Sequence, residues 1–280
     1  MKDKLILAGI TAGTFLAVYP VAFLLTGSLM NPHELQENLA PVVSGADETY
    51  ASWSLLPFAP TLQSYVKVLL EQPEFFVVFW NSVKVTLGVL TGQMLFGVPA
   101  AWAFAQYEFK GKKVLFTMYI IFMMLPFQVL MLSEYLVLHN LQLIDSLWAL
   151  IIPGAFSTFS VFVIYNFFRG IPRNILEAAR LDGAGEFRLF VQIGLPLGKT
   201  GIIAAMILQF LEYWNIIEQP MVFLEQKSLW PLGLYLPSIT LENAGQSFVA
   251  SVITLIPALF VFFYGKDHLE KGIIASAVKE

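Results

Sequence analysis

Six long apolar runs dominate this chain, at residues 5–30, 75–105, 114–138, 147–168, 201–224 and 248–264. Crossing a hydrocarbon layer about 30 Å thick takes roughly 20 apolar residues as a helix. A backbone in hydrocarbon must also satisfy its own N–H and C=O groups, which leaves helices as the natural fold for such runs. The second run is long enough to include an interfacial turn, and the sixth is near the short limit. Charged residues make up only 13% of the sequence, against about a quarter in soluble domains. The chain reads as an all-α, polytopic membrane protein with six transmembrane helices.

The first run follows Lys2 and Lys4, a basic start that a cleaved secretory signal would share. Its apolar part is too long for such a signal, and Thr26-Gly27-Ser28-Leu29-Met30 is a poor small-residue cleavage site. A retained helix is the expectation. The absence of cysteine removes disulfides and thiol–metal sites.

Basic residues alternate with the runs. Lys2 and Lys4 precede the first, and Lys110, Lys112 and Lys113 fall between the second and third. Arg169, Arg173, Arg180, Arg188 and Lys199 lie between the fourth and fifth, and Lys266, Lys271 and Lys279 follow the sixth. The intervening loops carry only Lys67 and Lys227, while Glu34, Glu37, Asp47, Glu48, Glu71 and Glu74 crowd the first of them. Because cytoplasmic loops hold the lysine and arginine excess, both termini are expected in the cytoplasm. The outside segment from 31 to about 74 is punctuated by Pro32, Pro41, Pro57 and Pro60, and residues 62–70 suit a short surface helix. It is either a docking surface for an external protein or a solvated loop.

Residues 169–198 are unusual for a connector. Pro172 suits the start of a helix, and Ile175, Ala178, Ala179 and Asp182 then share one face. Arg173 with Glu177 and Glu177 with Arg180 form a charge ladder on the other side. Two adjacent alanines keep this helix slim, and Gly183 ends it. Phe187, Phe190 and Val191 mark a second amphipathic piece, and Pro196 is expected to bend the chain before the fifth span. Exposed apolar residues outside the bilayer need burial, against either a partner protein or lipid headgroups.

The spacing E-A-A-x3-G-x9-I-x-L-P, carried by Glu177, Ala178, Ala179, Gly183, Ile193, Leu195 and Pro196, resembles the cytoplasmic coupling loop of bacterial ABC-importer permeases. Tyr165 to Pro172 is similar to the entry to that loop in carbohydrate-importer permeases. Trp214-Asn215, Asn81-Ser82 with Thr86, and Phe109-Lys110-Gly111-Lys112 resemble further family features. The tail from Lys271 to Lys279 resembles that of the smaller maltose-transport-type permease, with Ser276 where glycine is frequent. The resemblance covers residues 75 to 280.

It implies a type I ABC-importer permease fold: a first helix and extracytoplasmic loop (1–74), a transmembrane core (75–265) with the coupling loop (169–198), and a cytoplasmic tail (266–280). It also implies residence in a bacterial cytoplasmic membrane, carbohydrate as cargo and alternating access. The implied partners are a second permease subunit, a cytoplasmic ATPase dimer, an extracytoplasmic solute-binding protein and membrane lipid, with no nucleic acid. Glu177, Ala178, Ala179, Asp182, Gly183, Ile193, Leu195 and Pro196 would couple to the ATPase. No Walker-type glycine-rich loop is present, so ATP and Mg belong to a partner chain and no cofactor is expected on this one.

Charges within the runs are the other place to look. Lys84, Glu134 and Glu212 either face a cavity or snorkel to an interface. A Lys84–Glu212 pair lining the substrate path is one reading, with Asn81, Trp214 and Asn215 as further path candidates and Trp214 or Tyr213 available for stacking on a sugar. Phe75, Phe76, Phe79 and Trp80 are more simply interfacial or packing residues. His33, His139 and His268 show no metal spacing, so neither a metal nor a catalytic centre is expected. An ion-coupled transporter using Glu134, Glu212 and Lys84 would show inverted repeats, and the sequence carries no convincing one. An integral membrane enzyme lacks its clustered acids or histidines.

Overall fold

The computed structural model describes residues 2–43, 56–235, 240 and 242–277. Among these there is no strand. Five helices are long and apolar enough to cross a membrane: Gly9–Gly27, Pro73–Gln106, Trp148–Arg169, Glu186–Trp214 and Ala244–Leu269. A sixth crossing results if the bent pair Lys112–Met124 and Phe127–Asn140 is one span. Asp47, Glu48 and Lys279 lie outside the described residues.

The chain divides into two units, Met1–Phe79 with Tyr235–Pro257, and Trp80–Leu234 with Ala258–Glu280. In the first, helix Lys2–Gly27 leaves Ile10, Phe15 and Leu16 exposed, as a helix solvated by lipid can. Its end packs closely on the last long helix: a Cβ on Gly27 would lie 2.6 Å from the Phe248 ring, and Phe23 meets Phe248 edge to face at 5.6 Å. The proline-punctuated segment proves partly helical, since Pro32–Val43 forms a helix. Proline at its first position costs no hydrogen bond, and Leu35 turns into a small core with Met30 and Ala244. The short helix expected at 62–70 is present as Gln63–Val66 followed by a π turn, Lys67–Glu71.

Two expected spans differ in the second unit. The run 114–138 is not one straight helix but bends by 108° between Met124 and Phe127. Leu125 and Pro126 are both extended (ψ 129° and 149°), because the proline ring disfavours helical backbone at the residue before it. The expected 201–224 span instead runs over Glu186–Trp214. The apolar run continues beyond Trp214, but the Asn215 side chain donates to Leu211 O at 2.9 Å and the helix ends there.

Pro196 does not bend the chain. It sits in the first turn of helix Leu195–Trp214, directly after a π turn, Phe190–Gly194. After the π turn Lys67–Glu71 the helix breaks at Gln72, before Pro73, but the order seen at Pro196 recurs within one span at π turn Gln93–Gly97 before Pro99. A proline lacks the N–H and crowds the carbonyl four residues back. A wide turn placed there relieves that crowding, so the helix continues.

Small residues then let helices touch. Any Cβ on Gly198 would overlap the Phe168 ring, one on Gly201 the Phe167 ring, and one on Gly194 would lie 2.7 Å from Trp102. Helices Leu195–Trp214 and Thr158–Arg169 therefore approach through glycine, the usual solution where lipid removes the hydrophobic drive between helices. Around this seam Trp102, Ile164, Phe168, Leu176, Leu189 and Ala205 form the main core.

Candidate functional site

The loop helix forms as expected, over Arg173–Leu181 with Pro172 capping it. Its inner side is set by Leu176, which is 2% exposed and packs into the main core with Phe168 and Leu189. Ala179 is half-buried and leans on the same core. Ile175, Glu177, Ala178, Leu181 and Asp182 remain exposed, Leu181 at 90%.

The C-terminus is closed by a Schellman motif. Ala184 N–H donates to Ala179 O and Gly183 N–H to Arg180 O, each at 3.0 Å. Gly183 has φ +83°, a conformation that a side chain disfavours. The predicted charge ladder is replaced. Arg180 turns away from Glu177 and grips Glu186 across the turn, with Nε to Oε1 at 2.8 Å and Nη2 to Oε2 at 3.1 Å. Tyr107 Oη donates to the same carboxylate at 2.9 Å, tying the end of helix Val98–Gln106 to the loop. This hydrogen-bonded carboxylate raises the Arg180 guanidinium further above its already high value. Phe187, beside it, is 80% exposed.

The second half of the motif is anchored rather than presented. Ile193 and Leu195 pack against the core around Trp102, while Pro196 is exposed. Phe190 tilts onto Trp102 at 5.8 Å.

Inside the spans, the path candidates separate. Asn81 is buried and donates to Ser228 O at 2.7 Å and Trp230 O at 3.2 Å, and its neighbour Ser82 accepts from Leu232 N–H at 2.8 Å. Both hold the connector after helix Glu218–Phe223. Trp214 is buried and stacks on Phe210 at 5.5 Å. Lys84 and Glu212 are exposed, and the ion pairs among the described residues are Lys112–Glu108 and Arg180–Glu186, so the structure does not join Lys84 to Glu212. Half-buried Glu134 instead lines a cavity of about 370 Å³ with Ser133, Ser157, Thr158 and Tyr213.

Sequence reasoning missed a buried network. Gln93 Nε2 donates to Gln209 Oε1 at 2.7 Å and to Gly154 O at 2.9 Å, while Ser160 Oγ donates to Gln93 Oε1 at 2.7 Å. Gln93 opens a π turn, which widens the helix where three others meet it. Among the described residues no group of histidines and acids could hold a metal ion.

Residues 93–275 match the family model described as binding-protein-dependent transport system inner membrane component. The chain is 28% identical to the arabinooligosaccharides transport system permease protein AraQ of Halalkalibacterium halodurans, over 95% of this chain and 92% of that protein. It is also 28% identical to the sn-glycerol-3-phosphate transport system permease protein UgpE of Yersinia enterocolitica, over 72% of this chain and 74% of that one. A chain from the crystal structure of a bacterial ABC transporter involved in the import of the acidic polysaccharide alginate has the same fold. Its TM-score is 0.76 at 22% identity, over 95% of this chain and 94% of that chain.

Proposed function

This chain belongs to the binding-protein-dependent transport system inner membrane components, and on that premise we propose that it carries a carbohydrate through the cytoplasmic membrane, driven by an ATPase docked on its loop helix. The observation that carries this reading is the exposed face of Arg173–Leu181. Ile175 and Leu181 on this helix, and Phe187 just beyond the turn, are exposed along with Glu177, and the helix end is locked by the turn at Gly183. A rigid, exposed apolar helix face suits a groove on another protein.

In this role Glu177 accepts hydrogen bonds from groups in the ATPase groove, Ala178 allows close approach, and Asp182 borders the contact. Gly183 fixes the turn, Ala179, Ile193 and Leu195 tie the loop to the spans, and Pro196 stands in the first turn of the helix that follows. Leu176 and the Arg180–Glu186–Tyr107 cluster make the helix and the ends of the spans one lever. ATP and Mg are bound by the partner ATPase dimer. The lysine and arginine pattern supports this loop and both termini facing the cytoplasm. A second permease completes the pathway, and an external solute-binding protein delivers the cargo.

Relatives named for arabinooligosaccharides and glycerol 3-phosphate support a cargo among sugars and related polyol phosphates. The cavity beside Glu134 and Tyr213 is this chain's share of the path, and its hydroxyl-rich wall suits a polyhydroxylated solute. Asn81 and Trp214 then support the path from behind, and Lys84, Glu212 and Asn215 lie outside that cavity.

Copurification tests the reading. An ATPase subunit should come down with the tagged chain and be lost from E177R and G183V, which still insert and bind the second permease. Sodium- or proton-driven uptake that needs no nucleotide would overturn it.

A further inference from the structure

A second cavity, of about 480 Å³, lies at the start of the loop helix. Lys112, Lys113, Arg169 and Arg173 line it together with one carboxylate, Glu108. Lys112 Nζ already holds Glu108 Oε1 at 2.9 Å and donates to Tyr107 O at 2.9 Å. That ammonium keeps the Glu108 carboxyl below its usual value. Lys113, Arg169 and Arg173 make no ion pair among the described residues. Four cations less one carboxylate leave three positive charges here, on a chain of formal net charge −4. Such crowding of like charge is unfavourable until an anion enters.

Two further features point the same way. Helices Lys112–Met124 and Arg173–Leu181 both begin at this cavity, and neither has a side-chain cap. Their opening turns carry uncapped N–H groups and the positive ends of the helix dipoles, which favour anions. Beside the cations stand Phe116 and Tyr165, with ring centroids 4.2 Å apart, and Ala105 and Ile171. The cavity thus has one cationic and one apolar wall. Spans Pro73–Gln106 and Trp148–Arg169 both end at its lining residues, which sets it at the membrane–water boundary.

We propose that this cavity binds the headgroup of an anionic phospholipid. Lys113, Arg169 and Arg173 take the phosphodiester, and Phe116 and Tyr165 contact the glycerol and the upper acyl chain. Basic pockets between transmembrane helices are suited to such headgroups. Arg173 is also the first residue of the loop helix, so a bound lipid steadies the element that faces the ATPase.

The experiment is mass spectrometry of the intact transporter complex under non-denaturing conditions, after exposure to phosphatidylglycerol or phosphatidylcholine. Phosphatidylglycerol should be retained over phosphatidylcholine, and K113Q/R169Q/R173Q should lower that retention by about five-fold per cation removed. The charge-preserving R169K/R173K should retain it. If the triple variant fails to assemble, K113Q and R169Q singly carry the same test. Equal retention of the two lipids, or no loss in the variants, overturns the proposal. So does displacement by equimolar inorganic phosphate, which marks a free-phosphate site. Retention by the permease pair that vanishes when the ATPase is added also overturns it, because the cations then meet acidic side chains of that protein.

Discussion

The loop end and the interior of the second unit are both held by polar contacts, but those contacts span very different lengths of chain. At the loop end, Arg180 meets Glu186 six residues away and the Schellman bonds close within a single turn, with Tyr107 Oη the contact that arrives from farther along the chain. In the interior, Gln93 meets Gln209 across 116 residues and Ser160 across 67. Local contacts can form or fail with one helix end. Long-range ones exist only when all the helices are in place, so damage there should spread through the whole unit.

Glycine substitution in the seam should give the largest effect. In G198V the new side chain overlaps the Phe168 ring, and overpacking of this kind costs about 1–3 kcal/mol. Thermal unfolding in detergent should show the whole complex melting earlier. A variant that loses only ATPase binding, with its melting temperature intact, would break the contrast between the two regions.

Next in size is Q93L, which strands Gln209 and Ser160 and leaves Gly154 O to the backbone N–H of Ser157. Interhelical hydrogen bonds in membranes average about 0.6 kcal/mol each, and a buried group left unsatisfied costs about 1–3 kcal/mol. Q93L/Q209L should cost less than the sum of its single variants, because the second change removes a group the first one stranded. Additive losses would show that the two glutamines act independently.

The same contrast explains what was legible in the sequence. Apolar runs reveal spans because lipid acts on every residue of a run. The loop helix and Gly183 were readable because helix stops are written in neighbouring residues. Arg180 was matched to Glu177 because helix-neighbour rules reach only three or four residues, whereas the turn at Gly183 brings Glu186 within reach. The helix end at Trp214 stayed hidden behind Ile216 and Ile217, whose apolar character continues the run while the backbone departs from it. Gln93 and Gln209 each look like a lone tolerated polar residue, and only the packed topology shows that they are partners. The bent pair was hidden differently: Pro126 was visible, but hydropathy carries no information about angle.

At the loop end, G183A should act locally. A side chain in the left-handed region costs about 1–2 kcal/mol, and at φ +83° that cost falls on the Schellman turn alone. ATPase retention should drop several-fold while the melting temperature of the permease pair stays close to that of the parent. A large fall in melting temperature would mean that the turn is also part of the interior scaffold.

The smallest effect is expected at Asp145, whose contacts reach 80 residues along the chain but lie at an exposed connector rather than in the interior. Its Oδ1 accepts the N–H groups of Glu225 and Gln226, each at 3.0 Å, and its Oδ2 accepts Gln226 Nε2 at 2.6 Å. These bonds, the backbone N–H of Gln226 foremost, favour the charged form and hold the carboxyl below its ordinary value of 3.8. A depressed carboxyl contributes its full stabilisation above the ordinary value and loses it as pH falls through the lower, folded one. At neutral pH the stabilisation is therefore complete, and its pH dependence is confined to acid. Amide exchange at Glu225 and Gln226, corrected for intrinsic rates, should quicken as pH drops below 3.8, while exchange in helix Leu195–Trp214 does not follow. D145N keeps an acceptor oxygen but has no charge to titrate, so the acid step should vanish with the connector still bonded. Were helix Leu195–Trp214 to loosen in step with the connector, even this exposed cluster would be coupled to the buried scaffold, and the contrast between the interior and the periphery would fail at its weakest point.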